Sequence, residues 1–198
     1  MQKTSLPSRR SQGERTDATR TALIAAARVL FEQQGFAATG TPEIVAAAQV
    51  TRGALYHHFA DKTALFHAVC QQVAQEVADE IERRTRQSRK PLNALVNGAN
   101  AYFAAMAEAG RARLLLLEAP AVLSAEQLMV LSHIAGFGAL KEGLSDALGE
   151  GSGDSVPLHE LSVVLSAAFD RAALAIARGE AAGPYQQAIR LLLSRLIA

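Results

Sequence analysis

The chain has 198 residues, 49% hydrophobic but only 5% aromatic, a formal charge of +1 and one cysteine, Cys70. That length suits one large domain or two small ones, and a lone cysteine excludes an internal disulfide and argues against a cysteine-based metal site. No run approaches the ~20 apolar residues of a membrane helix, and the basic N-terminus has no apolar stretch behind it, so neither a membrane span nor a signal peptide is expected and the chain reads as cytoplasmic.

Alanine and leucine dominate and β-branched runs are scarce, which favours helices throughout. Residues 1–62 hold eight Lys/Arg against five acids, while the remaining 136 hold twelve against fourteen. A basic head on a mildly acidic body is the asymmetry of a small polyanion-binding module.

In chain order, residues 1–15 are polar and basic and are expected to form a disordered arm. A first helix follows from about Thr16 to Gln34, with Leu23, Ala26, Ala27, Leu30 and Phe31 on one face. Gly35 fits the positive-φ position past its end, with Phe36 folding back on Phe31. Thr41-Pro42 reads as a helix start with Thr41 as the cap, and that helix ends near Ala48. Thr51 caps another short helix, and Asp61 a long one whose apolar face is Phe66, Val69, Val73, Val77 and Ile81. Pro91 opens a helix striped by Leu92, Leu95, Val96, Ala99, Phe103 and Met106. Pro120 is expected to break the run RLLLLEAP. Ser124-Ala-Glu-Gln127 has the form of a capping box opening a helix that reaches about Leu148. GEGSGDS, 149–155, reads as a flexible connector without the ending of a phosphate-binding loop. Two last helices run from about Pro157 to Arg178 and from Pro184 to Leu196. No strand and no repeat is found, so the fold class is all-α with about nine helices.

Two short helices separated by Ala48-Gln49-Val50 make a helix-turn-helix over about 40–59. Arg52 stands at the first position of the second helix, where a bidentate fork can reach a guanine edge. Gly53 and Ala54 leave room for close approach of a nucleic-acid backbone. Thr51, Tyr56, His57 and Lys62 supply groups suited to phosphate oxygens, and the helix beginning at Asp61-Lys62 adds backbone amides. His57 and His58 project about 100° apart on a helix, which argues against a metal pair. No nucleophile has an arranged partner base, so neither a catalytic residue nor a cofactor is expected.

TPEIVAAAQV and TRGALYHHFADKTALF resemble the N-terminal DNA-binding domain of the tetracycline-repressor (TetR) family. Thr41, Ile44, Ala47, Val50, Thr51, Gly53, Leu55, Tyr56, Phe59, Lys62 and Leu65 fall in register, and the resemblance covers about residues 17–77. It implies that Ile44, Leu55 and Phe59 pack a three-helix head while Thr41, Thr51, Arg52, Tyr56, His57 and Lys62 face DNA. Gln49 departs from the glycine frequent in that turn, and Val45 from a common alanine.

The domains expected are the arm 1–15, the head 16–62, and a larger helical ligand-binding and dimerisation domain 63–198. The resemblance implies a homodimer joined by the last two helices, through Leu161, Leu165, Ala168, Ala172, Tyr185, Ile189, Leu192 and Leu193. It also implies an inducer cavity, for which Tyr102, Phe103, Met106, His133, Phe137 and Phe169 are candidates; LLLLEAPAVL resembles a recurring pattern in these C-terminal domains. Such a cavity suits a largely apolar or aromatic small molecule. The expected function is a dimeric repressor on palindromic double-stranded operator DNA, released by that ligand. An all-α protein-interaction module, or an activator or ligand-independent regulator with the same head, remains open.

Overall fold

The computed structural model describes residues 12–86, 88, 90–149 and 157–197. The expected arm lies mostly outside them, as does most of the 149–155 connector. Among the described residues the regular elements are all helical: α1 (Gln12–Ala38), α2 (Thr41–Ala47), α3 (Arg52–His58), α4 (Lys62–Thr85), α5 (Pro91–Ala107), α6 (Arg111–Arg113), α7 (Ala119–Val122), α8 (Ala125–Ser132), α9 (Gly138–Leu148), α10 (Leu158–Ala177) and α11 (Ala182–Leu196). Wider π-helical turns at Leu114–Glu118 and His133–Phe137 link α6 to α7 and α8 to α9, so the described residues group into nine helical stretches.

The chain divides within α4, after Val69, into two compact units. In the first, Leu23, Ala27 and Phe31 of α1 are fully buried with Ile44, Leu55, Leu65 and Phe66. Removing each of these leucine, isoleucine and phenylalanine side chains from water contributes about 1.5–3 kcal/mol. Phe66 meets the Phe31 ring edge-on at 5.1 Å and Phe36 at 5.0 Å. Helix α1 begins at Gln12, earlier than expected, and bends at Gly35, whose φ of 84° relieves the turn that lets Phe36 reach Phe31, ring centres 5.8 Å apart.

Lys62 does something other than wait for a phosphate. Its ammonium donates to the carbonyls of Phe36 and Thr39 at 2.8 and 2.9 Å and lies 4.2 Å above the Phe36 ring. It thereby ties the end of α1 to the start of α4 and satisfies carbonyls that the helix end leaves open. Lys62→Met keeps the aliphatic stem and removes those bonds. Urea unfolding of this variant is expected to show the head destabilised by about 1–3 kcal/mol.

In the second unit α5 is central and packs on α9, α10 and α11. It buries Leu95, Val96, Ala99, Phe103 and Met106 of the stripe expected of it, with Leu92 half-buried. Phe103 meets Phe169 of α10 edge-on at 6.0 Å, and Leu144, Ala172, Ala173, Ile189 and Leu193 complete the core. Arg111 donates to Glu76 at 3.0 Å and to the Ala105 carbonyl at 3.1 Å, fastening α6 to the far half of α4.

Two expected breaks take another form. Pro120 does not end the RLLLLEAP helix. The preceding turn widens so that the Ala119 amide reaches back five residues to the Leu114 carbonyl, which accommodates a ring that clashes in a regular helix. The capping box at Ser124 is present, with Ser124 N to Gln127 Oε1 at 3.0 Å and Gln127 N to Ser124 Oγ at 3.3 Å. The helix it opens is not continuous to Leu148; it is interrupted at Gly136, where φ is 119° and a β-carbon would stand 3.0 Å from Ile81 Cδ1.

Candidate functional site

Helices α2 and α3 are joined by a turn in which Gln49 takes φ 56°, the left-handed conformation that a side chain strains to adopt. Thr51 then caps α3, its hydroxyl accepting from the Ala54 amide at 3.1 Å. Leu55 and Phe59 turn inward, which sends Thr51, Arg52, Gly53, Tyr56 and His57 to the surface, with Ala54 half-buried between them. Thr41 is the first residue of α2 and not its cap: Gly40 holds that place, its amide donating to Glu43 Oε2 at 3.0 Å.

These side chains form one assembly. Tyr56 is 43% exposed. The Thr41 hydroxyl and then the Arg52 guanidinium hydrogen-bond its phenol and hold the pKa below the usual tyrosine value. The Arg52 guanidinium carbon also sits 5.5 Å from the ring centre. Arginine is thus propped by an aromatic face at the open end of a helix. The structure brings Thr41, Arg52 and Tyr56 together, keeps Thr51, Gly53 and His57 on the same exposed helix, and commits Lys62 to backbone carbonyls.

Gly53 lacks an internal reason. A β-carbon there would meet nothing closer than Thr51 Oγ1 at 3.9 Å. Glycine inside a helix costs about 1 kcal/mol relative to alanine, so the protein alone would be better off without it. Gly53→Ala is therefore expected to raise head stability by up to ~1 kcal/mol in urea unfolding while weakening DNA binding roughly tenfold or more in anisotropy titrations, an opposition only an external surface explains.

The second unit holds a cavity of about 540 Å³ between α4, α5, α8, α9 and α10. Tyr102, Phe137 and Phe169 line it, as expected, together with Leu95, Leu116 and Leu140. Phe103 and Met106 do not: both are sealed in the core beside it. His133 is exposed and outside the lining, its ring against Gly138, so its expected contact is also corrected. Sequence reasoning missed Asp170. The Tyr102 hydroxyl donates to Asp170 Oδ1 at 2.5 Å, across the cavity wall from α5 to α10. Burial pushes the Asp170 carboxyl above the ordinary carboxylate range, offset in part by that hydrogen bond. Burial, then the Asp170 charge and hydrogen bond, push Tyr102 well above the usual tyrosine value. Cys70 is buried and its thiol is raised to about 12 by burial and by the Glu118 charge, which leaves it an inert core residue.

Within this one chain Leu165, Ala172, Ile189 and Leu193 are buried in their own unit, and Leu161, Ala168 and Tyr185 are half-buried. Of the eight residues expected at a subunit interface, Leu192 alone is exposed. Each helix carries a second apolar stripe instead: Val163 and Val164 on α10, Leu191 and Leu192 on α11, with Val164 65% exposed and Leu191 58%. Among the described residues no helix is long and apolar enough to cross a membrane, and no three metal-ligating side chains converge.

Comparison with known proteins bears directly on this arrangement. The regulator AcrR of Shigella flexneri is 38% identical over 78 residues, 39% of this chain and 36% of that protein. The match thus spans little more than a third of that relative's length. The crystal structure of a TetR-family transcriptional regulator from Pectobacterium atrosepticum superposes with a TM-score of 0.69 at 26% identity, covering 94% of this chain and 95% of that one. The fold is shared also with FadR of Bacillus subtilis, solved with stearoyl-CoA, at a TM-score of 0.72 and 15% identity over 87% and 96% of the two chains. The family model described as bacterial regulatory proteins, tetR family, matches residues 23–69, and the tetracyclin repressor-like C-terminal domain matches residues 92–198. The chain belongs to the TetR family of bacterial regulatory proteins.

Proposed function

We propose that the protein is a homodimeric transcriptional regulator that binds palindromic operator DNA through α3 and lets go when a small molecule occupies the cavity of its second unit. It would act as a repressor in the cytoplasm, where its operator lies. The observation that carries this reading is the outward face of α3: a glycine that costs stability beside an arginine propped on an exposed tyrosine. Arg52 offers its fork to a guanine edge in the major groove. Thr41, Thr51, Tyr56 and His57 take phosphate oxygens and set the register. Lys62 positions α4 against α1 and contributes to DNA binding through that geometry.

Two such heads must stand about 34–36 Å apart to enter successive major grooves. The exposed stripes of α10 and α11 are the surfaces that would join two copies, and a four-helix contact would bury Val163, Val164, Leu191 and Leu192. Helix α4 runs unbroken from the head into the second unit, and its Ile81 and Thr85 line the cavity. A ligand that favours one placement of these residues over another shifts the spacing of the heads, and release follows from that differential affinity. FadR, solved in complex with stearoyl-CoA, is a precedent for a small molecule bound to a regulator of this fold.

The reading is tested by anisotropy titration against the DNA flanking the gene that encodes the protein. Binding is expected to be specific, to require both halves of a palindrome, and to weaken steeply as salt rises. Equal affinity for unrelated duplexes would overturn it.

A further inference from the structure

The cavity has a charge pattern that its apolar walls conceal. Its lining includes three carboxylates, Asp170 on α10 and Glu142 and Asp146 on α9, and no lysine, arginine or histidine. Glu142 and Asp146 are exposed, whereas Asp170 is drawn in beside Phe169, Ser166 and Tyr102. Asp170 Oδ1 accepts the Tyr102 hydroxyl at 2.5 Å; among the described residues its other oxygen has no hydrogen-bond donor and no ion pair. A carboxylate taken out of water in this way is normally matched by a cation. Here no side chain lining the cavity provides one.

We propose that the cavity takes a lipophilic amine, its ammonium on the free oxygen of Asp170 and its apolar body against Leu95, Leu116, Leu140 and Phe137. This rests on the cavity being the effector site, and it adds the chemical class of the effector. The ammonium replaces the missing counter-charge, and the Tyr102 hydroxyl holds the carboxylate so that one oxygen faces the ligand. A carboxylate-bearing ligand of the same shape meets three negative charges and no donor but hydroxyls, so the site discriminates by repulsion as well as by attraction. The apolar walls reward an alkyl or aryl body irrespective of charge, so head-group preference isolates the role of Asp170.

The test is isothermal titration of the full-length protein with decylamine, 1-decanol and decanoate, which share a tail and differ in head group. Decylamine is expected to bind about 10- to 100-fold more tightly than either of the others, the range of a charge-assisted hydrogen bond. Asp170→Asn keeps an acceptor for Tyr102 and is expected to abolish that preference. Decanoate or 1-decanol binding as tightly as decylamine in the unaltered protein overturns the amine assignment yet leaves the cavity as an effector site. Binding of none of the three overturns the cavity reading as well. The comparison within the unaltered protein decides the matter even where the variant does not fold.

Discussion

Arg52→Ala is expected to weaken operator binding by about 1–3 kcal/mol per subunit, hence roughly 2–6 kcal/mol for a dimer reading two half-sites. The side chain is exposed and closes no core, so urea unfolding of the variant should match that of the parent protein. The loss should concentrate at one base pair of each half-site, and duplexes altered there should lose their disadvantage, because a base-edge contact carries sequence information that a phosphate contact lacks. Tyr56→Phe should follow in the same direction with a smaller effect. It leaves the ring under Arg52 but removes the hydroxyl that Thr41 and Arg52 share. Anisotropy titrations against the operator and single-substituted operators read both results, and unchanged affinity in Arg52→Ala would remove α3 from the contact surface.

The second large effect is expected at the other end of the chain. Val164→Asp combined with Leu192→Asp places charges on both exposed stripes while leaving Leu165, Ile189 and Leu193 in the core. Light scattering after size exclusion should find a single-chain mass, where the parent protein is expected to give that of a dimer. Operator affinity should fall by about 10²–10⁴, the advantage of tethering two heads at a fixed spacing. Helical content should stay as it was. A dimer that survives both aspartates would place the subunit contact elsewhere.

What could be read from the residues divides by the range of the physics involved. Capping by Thr51, Asp61 and the Ser124–Gln127 box was legible because each is decided within four residues of chain. The positive φ of Gly35 was legible for the same reason, whereas nothing in the residues beside Gln49 signals its positive φ. Gly40 displaced Thr41 as cap because both residue types suit the position and the Glu43 carboxylate decides between them. The π-helical turns were not legible, since widening one turn leaves the apolar pattern of the helix nearly intact.

The site was legible where its groups stand on one short helix and not where they meet across distance. Arg52 and Tyr56 are four residues apart, one turn of α3, and the sequence places them side by side. Tyr102 and Asp170 lie 68 positions apart, and an acid inside an apolar stripe looks like a solvated charge until α5 and α10 are packed together. Phe103 and Met106 look like cavity residues in the sequence because a core and a cavity wall have the same composition. Leu165 and Leu193 lie in the chain's own core, and the sequence does not separate them from contact residues because a core stripe and a subunit-contact stripe have the same composition. Lys62 resembles every other exposed lysine until the carbonyls of Phe36 and Thr39 are brought beneath it.

Hydroxyl-radical footprinting on the protein's own promoter tests the central claim most directly, because it reports where the two heads touch duplex DNA. Two protected patches of equal size are expected, related by a twofold axis and separated by about 10 base pairs, and inserting about five base pairs between them should abolish both. A single patch, or two patches indifferent to that insertion, would contradict the account of paired α3 helices in successive major grooves.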